Sequence, residues 1–235
     1  MKDDKIKRIS DEEVEQLYAF TRKHFVEYYD LQTELVDHLA NAIEEKWQQQ
    51  PDLSFDDALK QEFKKFGVFG FMDVVEKRQL ALTKKYRKLL WTYFREYFKL
   101  PKILLTIALT VLVAKSIQHI HAVIAPVLLF SILIFSLFRF FVLNHRYRRK
   151  VKQTGYRWML EEIIFRCGSI PVFIFIPYQV IECVYDKEYS AVGQWILAAG
   201  VVLFAIYQYI ILYVIINRAE VHLKQTYPEY KVLKQ

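Results

Sequence analysis

Residues 122–152 read AVIAPVLLFSILIFSLFRFFVL followed by NHRYRRKVK. The apolar part is long enough to cross the hydrocarbon core of a bilayer, which takes about 20 residues of α-helix. Three more apolar runs occupy residues 103–117, 163–185 and 192–216, and only the first of these is short. Because backbone that faces lipid must satisfy its own hydrogen bonds, all four runs are predicted to be transmembrane helices.

Lys and Arg are distributed unevenly among the segments between these runs. They are dense in the predicted loop 144–152, before the first run and after the last one. The predicted turn 118–121 has neither residue, and the turn 186–189 has only Lys187. Since positive charge is retained on the cytoplasmic side, both termini are predicted to be cytoplasmic, in a multi-pass protein of the plasma (inner) membrane.

The composition agrees with an apolar half joined to a polar half, because 54% of the residues are hydrophobic and 25% are charged. The pI of about 9.2 does not point to nucleic acid, since the basic residues concentrate next to the predicted spans, where they meet anionic lipid. Cys167 and Cys183 fall in one predicted span, too far apart along a helix to form a disulfide. No cofactor and no direct nucleic acid binding are expected.

The first 82 residues predict a separate helical module. Ser10 and Glu13 form a capping box that opens a first helix, which ends near Phe25. Asp30 is predicted to be the N-cap of a second helix that runs to about Gln48. Its apolar positions follow helical spacing, at Leu31, Leu35, Leu39, Ala42, Ile43 and Trp47.

A third helix is predicted to open at Ser54 and Asp57 and to end at Gly67, the expected C′ residue. A fourth begins near Phe69 and becomes increasingly basic. Up to Glu76, 18 acidic residues face 10 basic ones, whereas residues 77–102 hold nine basic residues and one acidic. The module is therefore acidic and the connector that follows it is basic.

The connector, residues 83–101, interleaves cations with aromatic rings, a pattern typical of a helix at the membrane interface. Pro101 can then start the first span after a bend. The alternative is one long helix that continues into the membrane, and the sequence does not choose between the two. The residues predicted to contact the lipid interface are Lys84, Lys85, Arg87, Lys88, Trp91, Arg95 and Lys99 of the connector, together with Arg146, Arg148, Arg149 and Lys150.

Three segments of the module, YDLQTELVDHL (29–39), LSFDDAL (53–59) and KFG (65–67), resemble the HAAS signalling domain. That family has a helix of the "E-L-x-x-H-L" type, a serine-capped "S-x-x-E-A-L" helix and a glycine turn. Here Asp57 stands where Glu is more usual. The resemblance covers roughly residues 10–80 and implies a signalling or protein-binding role, with partners that include PadR-like transcription regulators. It implies no catalytic residues.

Catalytic and metal sites find little support in the sequence. Glu34 and His38 lie one helical turn apart and can share a metal, but a hydrogen bond from a half-buried His38 to Glu34 or to a neighbouring helix is the simpler interpretation. His119 and His121 offer two ligands without neighbouring Cys or carboxylate. No metal site is therefore predicted.

Polar residues inside the predicted spans are few. The charged ones, Lys115, Arg139, Arg166 and Glu182, lie near span ends, where long side chains reach the interface. Glu162 and Arg166 can form an i,i+4 pair. Pro171 and Pro177 predict kinks in the third span, and the tyrosines of the last span, Tyr207, Tyr209 and Tyr213, offer hydrogen bonds between helices.

These patterns together predict an all-α protein that is not an enzyme. Its predicted parts are a cytoplasmic helical module (1–82), a basic aromatic connector (83–101), a four-helix transmembrane domain (102–217) and a cytoplasmic tail (218–235). The acidic module is expected to bind a cytoplasmic protein partner through Glu34, Asp37, Glu44, Glu45, Asp56 and Asp57. The alternative is a small transporter or transporter accessory subunit. The partner and the oligomeric state are left open.

Overall fold

The structure is a computed structural model that describes residues 7–119, 124–166, 190–227 and 229–232. Every regular element in these ranges is helical. Most of the predicted third span, with Cys167, Cys183, Glu182 and both of its prolines, lies outside the described residues. The chain divides into two compact units, one made of Met1–Leu82 and Thr154–Met159, the other of Thr83–Gln153 and Leu160–Gln235.

The first unit contains α1 (Asp11–Lys23), α2 (Tyr29–Gln49), α3 (Phe55–Lys64) and the first part of α4 (Met72–Arg95). The predicted capping box of α1 is confirmed, with both the Ser10 and the Glu13 side chains bonded to backbone N–H groups. Ser54 caps α3 by accepting from the Asp57 N–H. The apolar stripe of α2 is buried as predicted, except that Ala42 is only partly covered.

The prediction of Asp30 as the N-cap of α2 is wrong. The cap position is Tyr28, which makes no side-chain cap bond, and Asp30 lies inside the first turn. Its carboxylate instead accepts a hydrogen bond from the N–H of Met159, at 3.1 Å. A long-range partner has therefore replaced the local backbone donor that a cap would use.

An aromatic cluster connects α1, α3 and the loop after α3 in the first unit. The Phe63 ring lies 5.0 Å from the rings of Phe20 and Phe71 and 4.4 Å from that of His24. The loop after α3 turns at Gly67, with φ of 77°, and at Gly70, with φ of 56°. A Cβ on Gly70 would lie 2.9 Å from the Phe63 ring, so the ring cluster requires glycine there.

The second unit contains three helices that are long and apolar enough to cross a membrane, which makes the chain a multi-pass membrane protein. They are α5 (Lys102–His119), α6 (Ile124–Thr154) and a helix over Ala191–Asn217. The last one consists of α8 (Ala191–Tyr209), a π-helical stretch (Ile210–Val214) and α9 (Ile215–Asn217). The shorter helices are α7 (Met159–Phe165), α10 (Ala219–Thr226) and α11 (Glu229–Val232).

Small residues allow α5, α6 and α8 to approach closely. Ala114, Ala125 and Ala198 are fully buried in one cluster with Leu129 and Phe204. Half of the most apolar stretch of Ala191–Asn217 is buried, compared with 17% for α5. The last candidate span is therefore the most buried of the three, while α5 presents much of its apolar surface outward.

The observed ends of α6 and α4 differ from two expectations drawn from the sequence. The segment 144–152 is not a loop, because α6 continues through it to Thr154 and ends just before Gly155, whose φ is 74°. Arg and Lys are good helix formers and no glycine or proline interrupts them, so the helix continues. The alternative of one long helix through the connector is wrong, since α4 ends at Arg95 and a short 3₁₀ turn, Glu96–Phe98, separates it from α5.

Candidate functional site

The acidic residues predicted to bind a partner lie mainly on the exposed side of α2. Asp37 and Glu45 are exposed, as is Asn41 between them, and Glu34 begins the same stripe. Eight residues of helix place Asp37 and Glu45 about 12 Å apart along the axis on one face. We call Glu34, Asp37, Asn41 and Glu45 the acidic face of α2. Asp56 and Asp57 are exposed in the first turn of α3.

Several of these carboxylates already have partners inside the first unit. Glu34 forms an ion pair with Arg78 at 3.6 Å, and Glu44 accepts from the Ile9 N–H at 3.0 Å. Asp57 accepts from the Ser54 hydroxyl at 2.7 Å. Within the described ranges, Asp37, Glu45 and Asp56 have no ion pair. Of the six carboxylates predicted to bind a partner, these three are therefore the ones available to pair with a cation of another molecule.

A buried carboxylate of α3 is neutralised within the unit. Glu62 is buried and forms ion pairs with Lys65 at 2.7 Å and with Lys46 at 3.2 Å. Burial alone would raise the pKa of Glu62, but hydrogen bonds and charge attraction from Lys65 and Lys46 outweigh it and hold the pKa below its ordinary value. Glu62 stays charged near neutral pH and is a structural residue of the module.

The metal interpretation of Glu34 and His38 has no geometric support. His38 is exposed rather than half-buried, and its ring faces Phe66 at 6.1 Å, while Glu34 contacts Arg78. In the part of the chain that the structure describes, no three His, Cys, Asp or Glu side chains come together as a metal site. Of the outer-turn histidines, His119 ends α5 and His121 lies outside the described residues.

The basic connector has an amphipathic arrangement on α4. Tyr86 and Tyr93 are buried on one side. The predicted interface residues of the connector are all exposed, and Trp91 shows 60% of its surface. The exposed set comprises Lys84, Lys85, Arg87, Lys88, Trp91, Arg95 and, after the 3₁₀ turn, Lys99.

The basic end of α6 also presents most of its cations outward. Arg146, Arg148 and Arg149 are exposed, and Arg146 and Arg149 border a shallow groove with Phe138 and Phe141. Lys150 differs, because it forms an ion pair with buried Glu161 and donates to the Tyr230 hydroxyl at 3.0 Å. Lys150 therefore has a structural role that the sequence did not reveal. The predicted i,i+4 pair of Glu162 and Arg166 is present at 2.9 Å.

A cluster of polar side chains connects α4 to α10. The Tyr93 hydroxyl lies 3.1 Å from Nε2 of His222, and Arg218 donates to the same hydroxyl at 3.4 Å. Burial lowers the pKa of His222, and the positive charges of Arg218 and Lys85 lower it further. Neutral His222 is therefore the favoured form, with Nε2 able to accept from Tyr93.

The second unit also has a groove of about 320 Å³ between α6 and the last candidate span, which the sequence did not predict. Its walls are mostly apolar, with Ser131, Ser136, Tyr209 and Tyr213 among the lining residues. Gln208 also lines it, is 3% exposed, and both its amide oxygen and its amide nitrogen lack a hydrogen-bond partner among the residues the structure describes. The π-helical stretch begins two residues later.

Arg139 stands beside this groove. Its guanidinium carbon lies 4.7 Å from the centre of the Tyr213 ring, and its Nε is buried without a hydrogen-bond partner in the described ranges. The sequence predicts Arg139 near a span end and does not identify Gln208 as a site residue. The available signal was a glutamine well inside an apolar run, because the groove and the π-helical stretch depend on packing.

No family model, curated protein or solved structure matches the chain. The resemblance to the HAAS domain therefore stays a prediction made from three short segments.

Proposed function

We propose that the protein is a non-enzymatic integral membrane protein whose acidic helical module binds a basic protein partner in signalling or regulation. The observation that carries the proposal is the pair Asp37 and Glu45, exposed on one face of α2 and without ion pairs in the described residues. Exposed charges of one sign steer a partner of opposite charge and fix its register. Asp56 adds a third such carboxylate.

The proposal includes a location and an orientation. Four spans in the plasma (inner) membrane of a bacterium would place both termini and the acidic face in the cytoplasm, as the distribution of Lys and Arg favours. The exposed cations of the connector and of α6 would then contact anionic lipid. The HAAS resemblance supports a partner of the PadR-like regulator class.

A small transporter or accessory subunit is the second candidate. The groove that contains Gln208 and lies beside Arg139 is the observation in its favour. Its largely apolar lining fits a lipid-like ligand better than an ion. Arg166 is not among the residues that line the groove, and it is paired with Glu162 instead. We therefore rank transport below partner binding.

Affinity capture of the full-length protein from mild detergent extracts of native membranes tests the proposal. The test variant is Asp37→Asn with Glu45→Gln. The matched control is Glu12→Gln with Glu15→Gln, which also removes two exposed negative charges but from α1. We expect a soluble partner to co-purify with the wild type and the control, and its recovery to fall about tenfold for the test variant and with rising salt.

Equal recovery with both double variants would refute the role of the acidic face of α2. The amount of each variant in the membrane fraction is the control. Wild-type levels would show that a fall in partner recovery comes from the lost charges and not from lost protein. Substitution of exposed side chains is expected to change stability by less than about 0.5 kcal/mol.

A further inference from the structure

The groove between α6 and the last candidate span, here called the Gln208 groove, is lined by a buried polar side chain that lacks hydrogen-bond partners in the described residues. Gln208 is buried, and its amide offers one acceptor and two donors that meet no partner among the described residues. A buried polar group without a hydrogen bond is unfavourable, and more so where the surroundings are apolar. The groove volume of about 320 Å³ lies at the lower end of the range for small-ligand sites.

The chemistry around the groove changes along its length. The far end, near Ser131 and Ile132, is lined by apolar side chains and small hydroxyls. Toward the basic end of α6, Phe135 and Tyr209 flank Tyr213, with ring centres 6.4 and 5.6 Å from that of Tyr213. Arg139 lies over the Tyr213 ring. One end of the groove therefore suits hydrocarbon and the other suits an anion.

Part of the groove wall is exposed. Phe135 is 55% exposed and Tyr209 is 51% exposed, and both belong to helices apolar enough to cross a membrane. A ligand that partitions into the bilayer can therefore enter from the side. Arg139 has no ion pair among the described residues, so a ligand anion would supply its missing counter-charge.

We propose that this groove binds a single-chain anionic phospholipid, with its phosphate at Arg139, its glycerol hydroxyl on the Gln208 amide and its acyl chain along the apolar end. The hydroxyl can donate to the amide oxygen and accept from the amide nitrogen, so one group satisfies both halves of Gln208. Gln208 precedes Tyr213 by five residues, a rise of about 7.5 Å along the helix. The long Arg139 side chain, which lies over the Tyr213 ring, and the glycerol backbone of the lipid together span this distance. The groove has room for one chain rather than two.

The test uses the full chain in phosphatidylcholine vesicles and a lysophosphatidylglycerol probe with a diazirine in its acyl chain. After illumination, mass spectrometry locates the label. We expect labelling to concentrate on peptides that contain Ser131, Phe135 and Tyr209. Unlabelled lysophosphatidylglycerol should compete about tenfold better than lysophosphatidylcholine or diacyl phosphatidylglycerol.

Three variants separate this site from general lipid contact. Gln208→Leu should lower groove labelling about tenfold, since it removes the hydrogen-bonding amide. Arg139→Gln should abolish the preference for the anionic lipid over the zwitterionic one. Arg146→Gln removes a positive charge from the same helix outside the groove and should leave groove labelling unchanged.

Labelling spread evenly over the exposed leucines of α5, such as Leu104 and Leu112, and insensitive to Gln208→Leu would overturn the proposal. Equal competition by diacyl phosphatidylglycerol would overturn its single-chain part. A loss of all labelling in Arg146→Gln as well as Arg139→Gln would mean general attraction to basic helices, which contradicts a defined site.

Discussion

The backbone N–H of Met159 donates a 3.1 Å hydrogen bond to the side chain of Asp30, which lies 129 residues earlier in the chain. The N–H of Tyr29 donates to the carbonyl of Arg157 at 2.7 Å, and the Tyr29 ring lies 5.4 Å from that of Trp158. The segment Thr154–Met159 is thus an integral part of the first unit. A fragment that ends at residue 82 would lack these contacts.

Asp30→Ala should loosen this segment. The substitution leaves the buried Met159 N–H without its acceptor, which costs about 1–3 kcal/mol. Because Arg157 lies in the segment, tryptic cleavage after Arg157 in the full chain should become about tenfold faster or more. Asp30→Asn retains a carbonyl acceptor and should show a smaller effect.

The matched control is Asp37→Ala, an exposed position on the same helix, for which cleavage should proceed at the wild-type rate. If Asp30→Ala were cleaved no faster than Asp37→Ala, the hydrogen bond to Met159 would have no part in holding the segment.

Local signals in the sequence predicted local structure well. The capping box at Ser10 and the cap at Ser54 are each set by residues three apart, so three-residue patterns suffice to identify them. Asp30 has the same chemistry, yet its partner comes from a segment more than a hundred residues away. A carboxylate near a helix start does not reveal whether a distant N–H will compete for it.

Gly70→Ala should destabilise the protein more than Gly67→Ala does. Both glycines have positive φ, so both substitutions add backbone strain of about 1–2 kcal/mol. Only at Gly70 would the new Cβ meet the Phe63 ring, which four other rings hold in place, so overpacking adds about 1–3 kcal/mol.

Denaturant unfolding of the two variants in detergent, followed by tryptophan fluorescence, measures this difference. We expect the midpoint of Gly70→Ala to lie below that of Gly67→Ala. Coincident midpoints would mean that the aromatic cluster yields readily to the extra methyl group.

Gln208→Leu should stabilise the delipidated protein. The substitution removes a buried amide that lacks partners in the described residues and whose burial costs about 1–3 kcal/mol, while it keeps a similar volume. Gln208→Asn keeps the amide but leaves a gap, so it should lower the melting temperature. Thermal unfolding in detergent compares the two variants.

Addition of lysophosphatidylglycerol should then raise the melting temperature of the wild type and leave that of Gln208→Leu unchanged. A lower melting temperature for Gln208→Leu without lipid would show that the amide already has a partner within the protein.

The stability of the second unit should decrease as the pH falls through about 6.5. Burial, Arg218 and Lys85 hold the pKa of His222 below its ordinary value of 6.5, so the unfolded chain takes up a proton before the folded one does. The loss begins near pH 6.5 and levels off below the folded-state pKa. Thermal unfolding in detergent between pH 5 and pH 8 measures it.

His222→Gln should remove this part of the pH dependence, since an amide can still accept from the Tyr93 hydroxyl but does not titrate. His145→Gln, at an exposed position on α6, is the control and should retain it. Identical pH profiles for the wild type and His222→Gln would rule out His222 as the titrating group.

The candidate sites differ in how far the sequence could predict them. The exposure of Asp37 and Glu45 follows from their positions opposite a buried stripe of leucines, which helical periodicity makes visible. The Gln208 groove could not be predicted, because it requires the register of α6 against the last candidate span. Lys150 looked like one of a run of lipid-facing cations, yet buried Glu161 binds it.

Site-specific photocrosslinking of the full chain in native membranes tests whether the acidic face of α2 binds a partner protein. A photoreactive residue replaces Asp37 on the acidic face of α2, and Lys60, exposed on α3, serves as the control position. We predict one recurrent soluble protein crosslinked at position 37, absent at position 60 and lost when Glu45 is changed to Lys. Crosslinks at position 37 only to lipid or to this chain's own basic helices would contradict a partner-binding role.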